Sequence, residues 1–132
     1  MFELTINEKV YPVNFGFGFR REIDPKVTRK IDGVNGKVEN LGLQTAIAGV
    51  MDGDVEEIVN VIDAANKGCE PRITRKELEE YLENESTDLD ALCEKLLDFF
   101  GRANCTKKTV EMLNKMIAEQ KAKQAAEQNE QK

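Results

Sequence analysis

Apolar and polar residues alternate in the first part of the chain, where residues 2–6 read FELTI and residues 9–13 read KVYPV. An alternation with period two places successive side chains on opposite faces of a β-strand. Asn7 and Glu8 separate the two runs, and this spacing predicts an N-terminal β-hairpin. Because Pro12 has no N–H for the ladder, we expect its strand to be an edge strand, or Pro12 to lie at the strand's end.

The next segment reads NFGFGFRRE and is compatible with a phosphate-binding loop, an aromatic ligand platform or a strand-to-helix junction. The dinucleotide-binding fingerprint GxGxxG fails, because an arginine occupies the third glycine position. Phe15, Phe19 and Ile23 recur at a spacing of four, which predicts a short helix from about Phe15 to Ile23 after an Asn14 cap. On this interpretation the aromatic rings, including Phe17, belong to the core.

The glycines of this segment, Gly16 and Gly18, are predicted to let a backbone pass close to the hairpin. Residues 26–37, KVTRKIDGVNGK, are rich in glycine and charge, which predicts a loop. From residue 40 onward the apolar residues recur at spacings of three and four, which predicts helices. The helices are expected at residues 41–51, 55–67, 75–84, 88–100 and from Thr106 onward.

Signals for helix ends accompany these segments. The predicted N-terminal caps are Asp54, Thr74 and Thr87, the last two in capping boxes with Glu77 and Asp90. Gly68 and Gly101 are expected to end the helices that precede them. The residues predicted to face the core are Leu43, Ile47, Val50, Val55, Ile58, Val61, Ile62, Ala65, Leu89, Leu92, Leu96, Leu97 and Phe100.

The last predicted helix carries a narrow apolar stripe of Val110, Leu113 and Ile117, flanked by Met112 and Met116. Flexible thioethers suit a surface that accepts varied apolar partners. Met112, Leu113, Met116 and Ile117 are therefore the candidate partner-binding residues. Alternatively, the stripe closes the core against the apolar face of the preceding helix.

The whole pattern predicts a mostly α-helical α+β protein with a single domain over residues 1–118. Residues 119–132 are good helix formers with almost no apolar anchor, which predicts a flexible helical or partly disordered tail. No apolar run reaches the roughly 20 residues that cross a bilayer, and the start MFELTINEK lacks the features of a signal peptide. We therefore expect a cytoplasmic protein that does not bind membranes.

The net charge of −6 is concentrated in the middle of the chain. Residues 38–104 carry sixteen Asp and Glu against six Lys and Arg, whereas the segments on either side each carry a net charge of +2. An acidic middle argues against nucleic-acid binding, which needs a basic face. The charge instead suits solubility or attraction to a basic protein partner.

Candidate chemistry is scarce in this sequence. There is no histidine, and Cys69, Cys93 and Cys105 form no CxxC motif, so we interpret the thiols as reduced and structural. The acidic segment at residues 52–56 lacks the glycine and glutamate that a calcium-binding loop needs further on. The glutamates of residues 77–85 are interpreted as a solvated helix face. We predict no catalytic, cofactor-binding or metal-binding residue, and a binding or scaffolding protein rather than an enzyme.

Four segments carry a resemblance to a known family: FELTINEKVYPVNFGFGFRREI, LGLQTAIAGVMDGDVEEIVNVIDAANKG, RITRKELEEYLENESTDLDALCEKLLDFF and TKKTVEMLNK. In order and spacing they resemble the tail assembly chaperones of long-tailed bacteriophages that infect Gram-positive bacteria. The resemblance extends over roughly residues 1–125 and includes no catalytic motif.

This resemblance implies the short, non-frameshifted form of a siphovirus or prophage tail assembly chaperone. It implies binding to the tape-measure protein and the tail-tube protein, and contact with the longer, frameshifted form of the same protein. It also implies a location in the host cytoplasm and absence from the mature virion. The alternatives are a structural tail or head-completion subunit retained in the virion, and a small regulatory adaptor of bacterial origin.

Overall fold

The computed structural model describes residues 2–33 and 36–130 and has an α+β fold dominated by helices, as the sequence predicts. Its strands are β1 (Phe2–Ile6), β2 (Lys9–Val13), β3 (Thr28–Lys30) and β4 (Val38–Asn40). Its α-helices are α1 (Phe17–Ile23), α2 (Gly42–Met51), α3 (Val55–Asn66), α4 (Arg75–Glu83), α5 (Leu89–Arg102) and α6 (Lys107–Glu130). A 3₁₀ turn, Asp24–Lys26, follows α1.

The N-terminal hairpin forms as the alternation predicts. β1 and β2 pair antiparallel, with Ile6 opposite Lys9 at the turn. Asn7 and Glu8 have φ angles of 52° and 67°, the left-handed conformations that a tight two-residue type I′ turn requires. Every second side chain of β1 is buried, so one face of the hairpin belongs to the core.

Pro12 lies at the outer edge of this hairpin, as predicted. It is opposite Glu3, in a pair whose backbone groups point away from the partner strand, so its missing N–H removes no ladder bond. The Pro12 carbonyl accepts a hydrogen bond of 2.8 Å from Asn66 Nδ2. The Asn14 N–H donates to the Ala65 carbonyl at 2.9 Å. The end of α3 therefore covers the outer edge of β2.

Helix α1 begins at Phe17, two residues later than predicted. Asn14 Oδ1 accepts a hydrogen bond of 3.0 Å from the Gly16 N–H, which closes a turn before the helix instead of capping it. Phe15 precedes the helix, yet its ring is buried and lies 5.0 Å from the Phe19 ring, centroid to centroid. The predicted core role is confirmed for Phe15 and Phe19 and wrong for Phe17, which is 68% exposed.

Strands β3 and β4 form a second antiparallel hairpin in a segment where the sequence predicted a loop. The prediction over residues 26–37 is therefore wrong at β3, while Val34 and Asn35 lie outside the described residues. All residues of both strands are exposed, so no alternation of apolar side chains marks them in the sequence. The backbone ladder and an Arg29–Glu39 ion pair of 2.6 Å hold the hairpin together.

Helices α2, α3 and α4 begin and end close to the predicted residues. Asp54 Oδ1 accepts from the Glu56 N–H at 3.0 Å, and Thr74 Oγ1 accepts from the Glu77 N–H at 3.1 Å, so both predicted caps are confirmed. Val55 was predicted to face the core but is 45% exposed. It is the first residue of α3 and precedes the buried stripe of that helix.

Helix α5 differs from its prediction at both ends. Asp88, not Thr87, caps it: Asp88 Oδ1 accepts from the Ala91 N–H at 3.0 Å. The Thr87 hydroxyl instead donates to the Tyr81 carbonyl at 2.6 Å, so it closes the turn after α4. Gly101 does not end the helix, which continues for one more residue.

Close backbone approach occurs at Gly42, not at Gly16 or Gly18. A Cβ at Gly42 would lie 1.9 Å from the Ile23 carbonyl oxygen, because α2 begins directly against the end of α1. Among the described residues, a Cβ at Gly18 would meet no atom within 4 Å, and one at Gly16 would meet only the Asn14 side chain. The prediction that these two glycines make room for the hairpin is therefore wrong.

The core lies between the apolar face of the N-terminal hairpin and the inner faces of helices α1 to α5. An aromatic cluster within it consists of Phe2, Phe15, Phe19, Phe99 and Phe100. Val110 and Leu113 close the core where the first turns of α6 pack on α2 and α5. In the turn before α6, the buried Thr106 hydroxyl donates to the Phe100 carbonyl at 2.6 Å.

Candidate protein-interaction site

Exposed large apolar side chains are the features of this surface that suit contact with another protein. In the described part of the chain they are Val10, Phe17, Val27, Ile31, Val38, Val55, Met112, Met116 and Ile117. Single exposed apolar residues are ordinary on soluble proteins, so groups of them carry more information. Two regions of the surface group such residues or combine one with an apolar depression: the α6 surface, formed by Met112, Met116 and Ile117, and the Phe17 groove.

The α6 surface continues the apolar stripe that packs α6 onto the domain. Val110 and Leu113 of this stripe are buried, whereas Ile117 is 41% exposed. Val110 and Ile117 are seven residues apart and lie on the same face of the helix, so the exposure changes because α6 has passed the edge of the core. Met112 and Met116 are 40% and 50% exposed. Of the four predicted partner-binding residues, three are at the surface and Leu113 is in the core.

The rest of α6 extends away from the domain. Residues 114–127 are all exposed, and the helix is described through Glu130. The predicted tail of residues 119–132 is thus helical as far as Glu130, while Gln131 and Lys132 lie outside the described residues. Its flexibility, and the domain boundary at residue 118, stay predictions.

The Phe17 groove is a shallow, largely apolar depression of about 460 Å³ between the start of α1 and the end of α5. It is lined by Val13, Phe15, Phe17, Phe99, Ala103 and Cys105, among others. The sequence did not predict this groove, because Phe15, Phe17 and Phe19 were all expected in the core. The signal was present, since Phe15 and Phe19 at a spacing of four leave Phe17 on the opposite side.

Two arginines of α1 flank the groove. Arg20 Nη1 donates to the Cys105 carbonyl at 3.3 Å. The Arg21 guanidinium lies 5.8 Å from the centre of the Phe17 ring, a cation–π distance. Within the described residues, neither arginine forms a salt bridge with a carboxylate. The groove therefore combines an exposed aromatic ring with positive charge.

The glutamates of residues 77–85, in α4 and just after it, face solvent with one exception. The exposed members are Glu79, Glu80, Glu83 and Glu85, as predicted. Glu77 is half-buried and accepts hydrogen bonds from the Thr74 hydroxyl at 2.9 Å and the Tyr11 hydroxyl at 3.2 Å. The hydrogen bond from Thr74 has the larger effect on the pKa of Glu77, and both bonds lower it. Glu77 thus joins the N-terminal hairpin to the start of α4.

The cysteines are free, half-buried thiols. Burial raises the pKa of the Cys93 thiol, and Asp90 shifts it in the same direction, so the reactive thiolate is disfavoured at neutral pH. Across residues 2–33 and 36–127, no three His, Cys, Asp or Glu side chains are placed to hold a metal ion. In the same part of the chain, no helix combines the length and the apolar character that crossing a bilayer requires.

A small helical domain with exposed apolar groups beside positive charge has the surface of a protein-binding protein. A family model described as phage tail assembly chaperone protein, TAC, matches residues 3–115. The chain therefore belongs to the phage tail assembly chaperone family, and the family predicted from the sequence is confirmed. No significant match was found among curated proteins or among solved structures. The siphovirus type and the Gram-positive host stay predictions.

Proposed function

We propose that this chain is the short form of a tail assembly chaperone, which binds the tape-measure protein of a siphovirus or prophage and assists assembly of the tail tube. Its further partners are the tail-tube protein and the longer, frameshifted form of the chain. It acts without catalysis in the host cytoplasm and does not remain in the mature virion. Membership of the chaperone family supports this role over that of a structural subunit kept in the particle.

The observation that carries this proposal is the α6 surface. An apolar stripe that begins in the core at Val110 and Leu113 continues beyond the core to Ile117. Such a stripe on an exposed helix suits contact with a second amphipathic helix. Met112 and Met116 widen the surface with side chains that adapt to different apolar shapes. A long tape-measure protein presents many unlike segments, and an adaptable surface is suited to binding them.

Two aspartate variants on the same stripe test the proposal. Ile117→Asp should leave folding nearly unchanged, because this side chain is largely outside the core, and should weaken capture of tape-measure fragments in a pull-down. Val110→Asp should lower the free energy of unfolding by roughly 3 kcal/mol or more, because a charge replaces a buried apolar group. Melting curves and pull-downs with fragments of the tape-measure protein from the same phage measure both effects.

Lys108→Asp is the matched control, since Lys108 is exposed on the same helix. This variant should fold and bind like the wild type. If Ile117→Asp unfolds the protein, or binds tape-measure fragments as well as Lys108→Asp does, the α6 surface is not the binding site. Mass spectrometry of purified virions tests the location: finding the chain there in amounts comparable to a tail subunit would support the structural role instead.

A further inference from the structure

The Phe17 groove has features that the packing of this domain does not require. Phe17 places most of its ring in solvent. Gly16 lines the groove beside this ring, so no side chain of residue 16 covers it. The exposure of the ring therefore has no explanation within the fold.

We propose that the Phe17 groove binds an amphipathic helix of the tape-measure protein that carries carboxylates beside its apolar stripe. This inference rests on the proposed function, which identifies the tape-measure protein as the source of the helix. It adds to that function a second binding surface on this chain and the charge of the segment that binds there. Phe17 inserts among the apolar side chains of the helix as a rigid aromatic anchor. Gly16 lines the groove next to Phe17 and lets the backbone of the partner come close to the ring.

The charges beside the groove favour an acidic partner. Arg20 and Arg21 both flank the groove, and in the described part of the chain neither has a carboxylate partner that would have to be displaced. A guanidinium binds a carboxylate through two parallel hydrogen bonds, which gives direction as well as attraction. An acidic helix therefore gains ion pairs at this groove, whereas a basic helix is repelled.

A helix fits this groove better than an extended peptide does. The outer edge of β2 would be the place for an added strand, but its backbone groups next to the groove, those of Pro12 and Asn14, are already used. The Pro12 carbonyl accepts from Asn66, and the Asn14 N–H donates to Ala65. Contact at the groove must therefore come from side chains, as when an amphipathic helix lies in an apolar groove.

A second copy of this chain is a poor occupant, because its described helices do not offer the required chemistry. Helices α2 to α5 turn their apolar faces into the core. The part of α6 beyond the core, residues 114–130, carries three lysines and three glutamates, so it has no net negative charge for the arginines of the groove to attract. We therefore assign the groove to a different protein.

Affinity measurements with two synthetic peptides test the charge preference. One is an amphipathic helix of leucine, alanine and glutamate, and the other has lysine in place of every glutamate. The wild-type protein should bind the glutamate helix about tenfold or more tightly than the lysine helix. Phe17→Ser and Arg21→Glu should each weaken binding of the glutamate helix by about tenfold. Val38→Ser and Lys30→Glu are the controls: they likewise replace an exposed apolar residue by serine and an exposed basic residue by glutamate, on the β3–β4 hairpin. Neither control should change the affinity.

Fragments of the tape-measure protein from the same phage complete the test. Fragments that bind Ile117→Asp weakly but bind Phe17→Ser like the wild type would refute this inference and leave the proposed function in place. Equal affinity for the two synthetic helices, or self-association that Phe17→Ser abolishes, would also overturn it. If no fragment binds the wild type, the proposed function fails, and the synthetic helices still decide whether the groove selects acidic helices.

Discussion

Asn66, the last residue of α3, joins three parts of the chain through its side-chain amide. Its Nδ2 donates to the carbonyl of Pro12 in β2 at 2.8 Å and to that of Pro71 before α4 at 3.1 Å. Its Oδ1 accepts from the Ile73 N–H at 2.8 Å and from Arg72 Nη1 at 3.0 Å. The side chain is completely buried, and its bond to the Ile73 N–H is buried, whereas the other three bonds are partly buried.

We predict that Asn66→Ala lowers the free energy of unfolding by about 3–5 kcal/mol. A backbone group left without a partner inside a protein costs about 1–3 kcal/mol. The carbonyls of Pro12 and Pro71 and the Ile73 N–H lose their partner, whereas Arg72 still pairs with Asp63 at 2.9 Å. Three such groups near the lower end of the range give the expected loss, which corresponds to a fall of about 10–20 °C in melting temperature for a domain of this size.

Urea unfolding followed by circular dichroism measures this loss. Asn60→Ala is the matched control, because Asn60 lies on the same helix and accepts a hydrogen bond of 2.8 Å from Arg75 at the exposed surface. Its substitution should cost less than about 1 kcal/mol. A loss of the same small size for Asn66→Ala would refute the conclusion that this amide fastens the N-terminal hairpin to α3.

Three further outcomes are expected. Gly42→Ala should cost about 2 kcal/mol or more in thermal melting, because the new Cβ would lie 1.9 Å from the Ile23 carbonyl oxygen. Truncation after Ala118 should leave the melting temperature nearly unchanged, because residues 119–127 are exposed, and a drop of several degrees would show that the tail docks. Burial, and then Asp54, raise the pKa of Glu57. The folded protein therefore loses stability as the pH rises from the pKa of Glu57 in the unfolded chain to its higher pKa in the folded protein. Glu57→Gln should be more stable than the wild type at neutral pH, and this gain should vanish in acid.

The strands and helices that the sequence predicted correctly are indicated by residues close to one another in the chain. The hairpin shows in the alternation on both sides of Asn7 and Glu8, and each feature lies within a few residues of the next. The helices α2 to α4 show in apolar spacings of three and four, and a capping residue precedes α3 at Asp54 and α4 at Thr74. Such patterns are short-range consequences of backbone geometry, so a single sequence is enough to find them.

What the sequence did not reveal depends on distant parts of the chain. Ile117 continues the stripe of Leu113 and differs from it only because α2 and α5 no longer cover α6 at that point. Phe15 is buried although it precedes α1, because Phe99 and Phe100 of α5 pack against its ring. The β3–β4 hairpin has no buried side chain, so its backbone ladder leaves no pattern in the residue types.

The packing of α6 on the domain also determines when its exposed part is helical. Initiating an isolated helix is unfavourable by a factor of about 10⁻³, or about 4 kcal/mol, whereas adding each further residue is nearly neutral. The turns held by Val110 and Leu113 supply this nucleus, so the rest of α6 only has to propagate from it. Ile117 lies one turn beyond the nucleus, so its turn of helix forms with the folded domain. A partner that binds there under the proposed function would not have to meet the entropic cost of forming the helix, and the surface would be lost as soon as the domain unfolds.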